Sequence, residues 1–578
     1  METNSKVWIR ENDNNWVYGT IISKNNNEIL VRNNSNGQVS SIVNSNNIRM
    51  VNLNGDDVNN LTNLQHLNEP SILNALQKRF DRNMIYTYNG PILISINPFK
   101  NIGIYDDNHI HKYNNSSTKY PHIYGLVNKV YKNLQKYNQN QSILVSGNSG
   151  SGKTYSTRFI MKYLSKVSTQ FTLSETTVER KLLESNPILE AFGNARTLKN
   201  DNSSRFGKYI KVYFNKDYKI VGAHILTYLL EKVRVIHQNK GERNFHIFYL
   251  LLKGLSKKGM NKYRLNDITT YKILNGSECY DRSDNVKDEE KFQELITAFK
   301  IMNFSDNEMH TIFKIISGIL NLGNICIKNN IIENQDVLEV ISQLLQVDKT
   351  LLEKALTLKE IKISDSEIYE KKLTNDESYH VCHTMIKIIY HNLFCWIVNK
   401  INGTMYIDKY HKFIGLLDIF GFEVFQNNNF EQLCINYANE CLQQQFNRYI
   451  FKNEQEIYDQ EKIDWKHISF PDNKNCLDLF EDYPTGILSK IDEECLFPSG
   501  SDLSLFDKIY KLSLKNNLLK ITKKDKPLQK FTINHYPGKV KYDVVGFCNK
   551  NKDRLNNYAV RCLLKCNNII FKNFDVNL

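Results

Sequence analysis

The sequence predicts an α/β fold with a mixed, mostly parallel central sheet flanked by helices. Three observations support it. Ser142-Ile-Leu-Val-Ser146 is an apolar run of strand length, followed at once by a glycine-rich loop and then by a helical stretch, Tyr155–Lys166. Phe413-Ile-Gly-Leu-Leu417 is a second such run and ends in an acid, Asp418. Unalternating apolar runs suit strands covered on both faces, and strand–loop–helix order is the parallel α/β unit. The middle of the chain, roughly residues 290–410, reads as amphipathic helix, which supplies the flanking layers.

Taken in order, the first ~50 residues alternate short strands and turns. Trp16-Val-Tyr-Gly-Thr-Ile-Ile precedes Glu28-Ile-Leu-Val-Arg and a turn at Asn36-Gly37, a pattern for a small antiparallel barrel over residues 1–50. From Asn52 the character changes, and the rest, 52–578, reads as a second domain. Ser71–Phe80 predicts a helix with Ile72, Leu73, Leu76 and Phe80 on one face. Pro91-Ile-Leu-Ile-Ser-Ile-Asn-Pro predicts a buried strand, as does the Ser142 run. Phe430–Tyr458 contains no Pro or Gly and predicts one long helix, capped by Asn at its start.

Bulk properties narrow the class. The chain has 578 residues, 41% hydrophobic and 24% charged, as in soluble globular proteins with several subdomains. Met1–Arg10 has no apolar signal core. Ile312–Ile327 is too short to span a bilayer and carries Lys314 and two Asn. An intracellular protein without a direct membrane segment is expected. The 11 cysteines contain no C-x-x-C pair and read as free thiols. A net charge of +13 permits an acidic partner without choosing one.

The chemistry starts at residues 147–154, Gly-Asn-Ser-Gly-Ser-Gly-Lys-Thr, which fit G-x-x-x-x-G-K-[ST]. Gly147, Gly150 and Gly152 let backbone N–H groups turn toward phosphate oxygens, with Asn148, Ser149 and Ser151 completing the loop. The following helix aims its positive end at the same anion. Lys153 would neutralise β- and γ-phosphates, and the Thr154 hydroxyl would ligate magnesium. A phosphate-loop NTPase binding a nucleoside triphosphate with Mg2+ is the expectation.

Two later segments follow that loop in order. Asn200-Asp-Asn-Ser-Ser-Arg-Phe-Gly-Lys208 is a polar loop leading into the alternating strand Tyr209–Phe214. Asp418-Ile-Phe-Gly-Phe-Glu423 follows the Phe413 strand, and an Asp at a strand's carboxyl end suits a magnesium site. Arg205 and Glu423 offer a bidentate pair that could close one segment over the other.

With these residues, nearly the whole chain resembles the motor domain of myosin heavy chains. Leu67-Asn-Glu-Pro-Ser-Ile-Leu, Asn186-Pro-Ile-Leu-Glu-Ala-Phe-Gly-Asn-Ala, Tyr228-Leu-Leu-Glu-Lys, Phe430-Glu-Gln-Leu-Cys-Ile-Asn-Tyr-Ala-Asn-Glu, Ile491-Asp-Glu-Glu-Cys and His535-Tyr-Pro-Gly-Lys-Val also carry the resemblance. It implies helical upper and lower subdomains, an SH3-like N-terminal barrel, a myosin-type ATPase and actin-based motor, and a place in the cytoplasm on the actin cytoskeleton. Asn97, Pro98, Phe99 and Tyr105 would line the adenine pocket. Asn200 would bond the phosphates, Ser204 would join Thr154 on magnesium, and Asp418 would reach the metal through water. The Gly421 N–H would touch the γ-phosphate, Ser203 would contact the attacking water, and Arg205 with Glu423 would make the closing salt bridge. The helix from Phe430 looks like the relay helix, with Trp465 in its loop.

The implied partner is the actin filament, with no nucleic acid, and light chains only on a longer chain. Lys511, Lys515, Lys520, Lys523, Lys524, Lys526 and Lys530 form a basic stretch similar to an actin-contacting surface loop. Glu367 stands at the family's acidic-or-phosphorylatable actin position. A nucleotide-binding, non-motor actin-binding or regulatory protein is the alternative. A kinesin-like NTPase fits less well, because such chains share Ser-Ser-Arg but differ around it.

Some positions depart from the family. Asn148 stands where Glu is usual, Asn101 where Arg is common, and Tyr155-Ser156 where Glu-Asn is usual, so altered nucleotide affinity is expected. The sequence stops at Leu578, near the junction before the family's second actin-side loop. A chain ending there would lack a central strand, the reactive-thiol helices, the converter and the lever arm. Unpaired neighbouring strands and no independent force production are the expectation.

Overall fold

The computed structural model describes residues 2–571, apart from 13–14, 26–27, 43–46, 53–56, 116–119, 169–176, 363–367, 467, 498–499, 552–554, 567 and 569. The N-terminal segment folds as a five-stranded antiparallel sheet from Lys6–Asn12 to Ile48–Met50. Val7, Ile9, Ile21, Val31 and Ile48 point to one side of it and form a small core of their own.

The central sheet has four strands in the order Ile220–Tyr228, Gly207–Phe214, Lys412–Asp418, Gln141–Val145. Only the last pairing is parallel; the other two are antiparallel. The sheet is therefore mixed, as expected, but not mostly parallel. Gly207–Phe214 and Ile220–Tyr228 are joined by a tight turn in which the Asn215 carboxamide accepts from the N–H groups of Asp217 and Lys219, each at 2.9 Å. A connection that short forces an antiparallel pair.

Burial also differs from the expectation. The Lys412–Asp418 strand is covered, with Ile414, Gly415 and Leu416 buried. Among the described strands Gln141–Val145 pairs with Lys412–Asp418 alone, and Leu144 is 40% exposed. The Pro91 run forms Ile92–Ser95, half-buried and, among the described residues, paired only with Tyr86–Asn89. An apolar run reports affinity for a core, whereas the number of neighbouring strands is set by distant sequence.

Helices pack on this sheet around one large core, and a second core joins Phe422 and Leu433 to residues 476–548. The Asn375–Thr404 helix is long and apolar enough to cross a membrane by length and composition, but 78% of its most apolar window is buried in the interior. The predicted Ser71 helix spans Glu69–Asp81, yet its buried side is Ser71, Ala75 and Arg79, and Leu73 is 59% exposed. Arg79 is tolerated inside because its guanidinium donates to Thr87 Oγ1 at 2.9 Å, Tyr86 O at 2.9 Å and Asn59 Oδ1 at 3.1 Å. The long helix runs as Phe430–Asn447, a π turn Arg448–Lys452 and Asn453–Gln460, started by an Asn429–Gln432 capping box. All 11 cysteines are free thiols.

Candidate functional site

The glycine-rich loop connects the strand Gln141–Val145 to the helix Lys153–Ser168. Gly150 and Gly152 adopt φ of 81° and 92°, backbone that side chains with a Cβ resist. A cleft of about 1560 Å³ opens over the loop. Lys153 Nζ donates to the carbonyls of Gly147 at 2.8 Å and Asn148 at 2.9 Å. Burial lowers the Lys153 pKa, while Asp418 and Glu423 act against that shift.

Around the cleft mouth, Asn97 Nδ2 donates to Gly150 O at 2.8 Å. Phe99 is 84% exposed beside it, Pro98 is half-buried, and both Asn97 and Phe99 line the cleft. Tyr105 is set further back. Its ring stacks on Phe159 with centroids 3.8 Å apart, its hydroxyl meets Tyr86 at 2.8 Å, and Tyr155 and Phe159 line the cleft in front of it.

The segment read as a polar loop is partly a strand: Asn200–Ser204 pairs antiparallel with Asn194–Thr197. Its residues are polar because its surface faces the cleft, so no apolar alternation marks it. Asn200, Ser203 and Ser204 all line the cleft. Ser149 and Ser203 hydroxyls lie 3.3 Å apart, and those of Thr154 and Ser204 3.5 Å apart. Asp418 is buried at the end of its strand, with Lys208 Nζ 3.4 Å from its Oδ2. That oxygen receives no hydrogen bond from protein among the described residues.

From the other side, Gly421 presses on the loop. A Cβ there would lie 2.0 Å from Gly147 O and 2.8 Å from Lys153 Nζ, so only glycine fits. Two residues on, the Glu423 carboxylate meets Arg205 as a fork. NH1 donates to Oε1 at 2.7 Å and NH2 to Oε2 at 3.2 Å, with both side chains at or below 1% exposure. Arg205 NH1 also donates to Ser203 Oγ at 3.1 Å. This ion pair joins residues 218 apart in sequence across the floor of the cleft.

Sequence reasoning left several residues of this site without a role. Glu231 accepts from Arg205 Nε at 2.6 Å, and burial, which would raise its pKa, is outweighed by Arg205 and Arg234, bringing it to about 2. Asn436 accepts from the Glu423 N–H and donates to the Glu423 carbonyl, each at 2.9 Å. Asn436 also donates to the Tyr542 hydroxyl at 2.8 Å, which meets His535 Nε2 at 2.8 Å, and His535 Nδ1 meets Glu440 Oε1 at 2.9 Å. Asn436 and Glu440 lie one turn apart on the Phe430–Asn447 helix, so Glu423 is tied to that helix's buried side. The i, i+4 spacing of Asn436 and Glu440 was visible; their partners were not.

The candidate partner surface mixes short regular elements with turns, and Lys515, Lys523 and Lys524 lie in the turns. Lys511 ends the Asp502–Ser513 helix, Lys520 lies in a short strand, Lys526 opens a helical turn, and Lys530 starts the Lys530–His535 strand. Lys511, Lys515, Lys520, Lys523, Lys524 and Lys526 are exposed, whereas Lys530 is half-buried and faces Asp543 at 3.6 Å. Asp525, the one acid in the stretch, is buried and paired with Lys541 at 2.7 Å, which leaves the outer face positive. Leu514 within this stretch and Leu496, Phe497 and Leu503 before it are more than half exposed. Glu367 lies outside the described residues.

The family model for the myosin head (motor domain) matches residues 58–576. The chain belongs to the myosin motor-domain family. Myosin-1 of Arabidopsis thaliana is 39% identical over 572 residues, covering 97% of this chain and 48% of its own length. Myosin IA heavy chain of Dictyostelium discoideum is 41% identical over 516 residues, covering 87% of this chain and 52% of its own. Myosin-J heavy chain of the same organism is 38% identical over 602 residues, with 95% and 26% covered. The chain thus spans about half the length, or less, of these myosins.

Proposed function

We propose that this chain is the nucleotide-binding part of an actin-based motor. It binds Mg-ATP on residues 147–154 and couples hydrolysis to closure of residues 200–205 onto 418–423. In this reading residues 52–578 are motor domain and residues 1–50 an SH3-like barrel. The observation that carries it is the buried Arg205–Glu423 fork, which ties the two segments together while Gly421 touches the phosphate loop.

The donors present fit the ligands. Gly147–Thr154 would cradle the phosphates, with Lys153 turning from the Gly147 and Asn148 carbonyls to phosphate oxygens and Asn200 adding a bond. The Thr154 and Ser204 hydroxyls, 3.5 Å apart, suit one hard cation, and Asp418 carries a carboxylate oxygen that receives no hydrogen bond among the described residues, with Lys208 Nζ 3.4 Å away. Magnesium, when bound, neutralises charge on the β- and γ-phosphates. Asn97 and Phe99 would meet the base, with Pro98 and Tyr105 shaping the wall behind them. The Ser203 hydroxyl, held by Arg205, would orient the attacking water, and the Gly421 N–H would bond the γ-phosphate. Charge-assisted bonds are worth roughly 1.5–3 kcal/mol each, enough for the Arg205–Glu423 pair to bias an open–closed equilibrium.

The basic face formed by Lys511, Lys515, Lys520, Lys523, Lys524 and Lys526, with Glu367 on another segment, is the proposed actin side; Lys530, turned to Asp543, contributes least. Co-pelleting of the full-length protein with filamentous actin, with and without Mg-ATP, tests the function. Binding that ATP releases supports the motor reading. ATP-insensitive binding supports a regulatory actin binder instead, and no binding removes actin as partner.

A further inference from the structure

Arg205 is shared between two carboxylates that sit on different parts of the molecule. Glu423 takes its NH1 and NH2 edge at 2.7 and 3.2 Å, and Glu231 takes Nε at 2.6 Å. We infer that Glu231 is the fixed anchor of this latch, a positioning residue that holds the Arg205 guanidinium aimed at Glu423 and Ser203 through the open–closed cycle. The inference rests on the proposed role of the Arg205–Glu423 pair.

Three features carry it. First, Glu231 is itself immobilised. Its backbone N–H donates to Arg205 O at 2.9 Å. Its carboxylate accepts from Arg234 Nε at 3.1 Å and NH2 at 3.2 Å. Arg234 in turn donates to Glu242 Oε2 at 2.7 Å. Glu423, Arg205, Glu231, Arg234 and Glu242 thus form an alternating buried ladder, no side chain of which exceeds 10% exposure.

Second, the two carboxylates are tied to different partners. Glu423 is bonded through Asn436 to the Phe430–Asn447 helix, so a shift of that helix carries Glu423 with it. Glu231 is bonded back to Arg205's own segment and to the ladder.

Third, Arg205 has no exposure. A buried cation stripped of its only counter-ion is strongly disfavoured. With Glu231 in place, Glu423 can leave and return while the cation stays neutralised and aimed. Arg234 plays no such part for Glu423, since its own bonds go to Glu231, Glu242 and the Arg243 carbonyl.

The test uses the full-length protein and Glu231→Gln. Single-turnover hydrolysis should slow at least tenfold while binding of a fluorescent ATP analogue stays within threefold, because the Glu231 carboxylate bonds Arg205 and Arg234, neither of them in the phosphate loop. In an Arg205→Gln background the same change should cost less than twofold further, since the anchor then has no guanidinium to aim and Arg234 stays paired with Glu242. Hydrolysis at the wild-type rate, a loss in nucleotide binding equal to the loss in hydrolysis, or multiplicative losses in the double variant would each overturn the inference. Amide exchange of residues 203–208 is read in parallel without nucleotide. It should quicken at least tenfold in Glu231→Gln, and unchanged exchange overturns the inference. If the wild type hydrolyses no ATP, the proposed function fails and the exchange result alone decides the anchor. Should Glu231→Gln not fold, Glu231→Asp keeps the charge on a shorter arm and is judged by the same criteria, with a threefold threshold.

Discussion

Replacing Glu423 by Gln keeps the shape of the side chain and removes the charge that receives Arg205. Two charge-assisted hydrogen bonds, 2.7 and 3.2 Å long and shielded from water, are lost or made neutral. Each is worth roughly 1.5–3 kcal/mol, and the replacing amide recovers about 1 kcal/mol through one neutral bond. The usual penalty for stranding a buried cation, about 3–5 kcal/mol, does not add to this, because Glu231 still neutralises Arg205. The closed state should therefore lose about 2–5 kcal/mol, roughly 30- to 5000-fold in the closing equilibrium. The assay is quenched-flow single turnover of labelled ATP, with analogue binding measured separately. Hydrolysis should fall by that factor with binding almost unchanged. A variant that hydrolyses ATP at the wild-type rate, or loses binding as much as hydrolysis, would refute the latch.

Three further outcomes are expected. Gly421→Ala places a methyl 2.0 Å from the Gly147 backbone carbonyl, which no side-chain rotation relieves; steady-state ATPase activity should drop more than tenfold, and a near-normal rate would mean the contact is not kept in the active state. His122 caps the Ile123–Tyr137 helix as a neutral ring, Nδ1 accepting from the Tyr124 N–H at 3.0 Å and Nε2 facing Ile104 O at 3.1 Å, and burial lowers its pKa to about 3. Its folded pKa lies below the unfolded value, so its contribution is complete above about pH 6.5 and declines by about 1.4 kcal/mol per pH unit below it, toward pH 3. Urea unfolding of His122→Asn should show a shallower loss between pH 6.5 and 5 than the wild type, and parallel curves would contradict the assignment. Lys523→Glu with Lys524→Glu reverses two exposed charges beside the inward-turned Asp525; actin affinity in co-pelleting should fall several-fold, with a weaker salt dependence, while ATPase activity without actin is unchanged.

Much of the site was legible because its chemistry is local. The strand–loop–helix around Gly147, Gly150, Gly152, Lys153 and Thr154 follows from local backbone demands, and Asp418 from its place at a strand end. The Asn429 cap was legible for the same reason: a capping bond spans only a few residues. The strand Asn200–Ser204 was not, since a strand facing a polar cleft carries no apolar alternation. Nor was the buried side of the Ser71 helix, where the hydrogen bonds that Arg79 donates to the Tyr86 carbonyl and the Thr87 hydroxyl make it acceptable inside.

By itself, the sequence determined the glycine-rich loop between strand and helix, the long helix and the family to which the chain belongs. Each of these depends on bonds within one turn, one loop or one strand. Only the tertiary structure decided that, among the described strands, the central sheet has a single parallel pairing and the Ser142 strand pairs with Lys412–Asp418 alone, and that Arg205 serves two carboxylates at once. Those features rest on contacts between residues far apart in the chain, and no local pattern encodes which distant partner arrives.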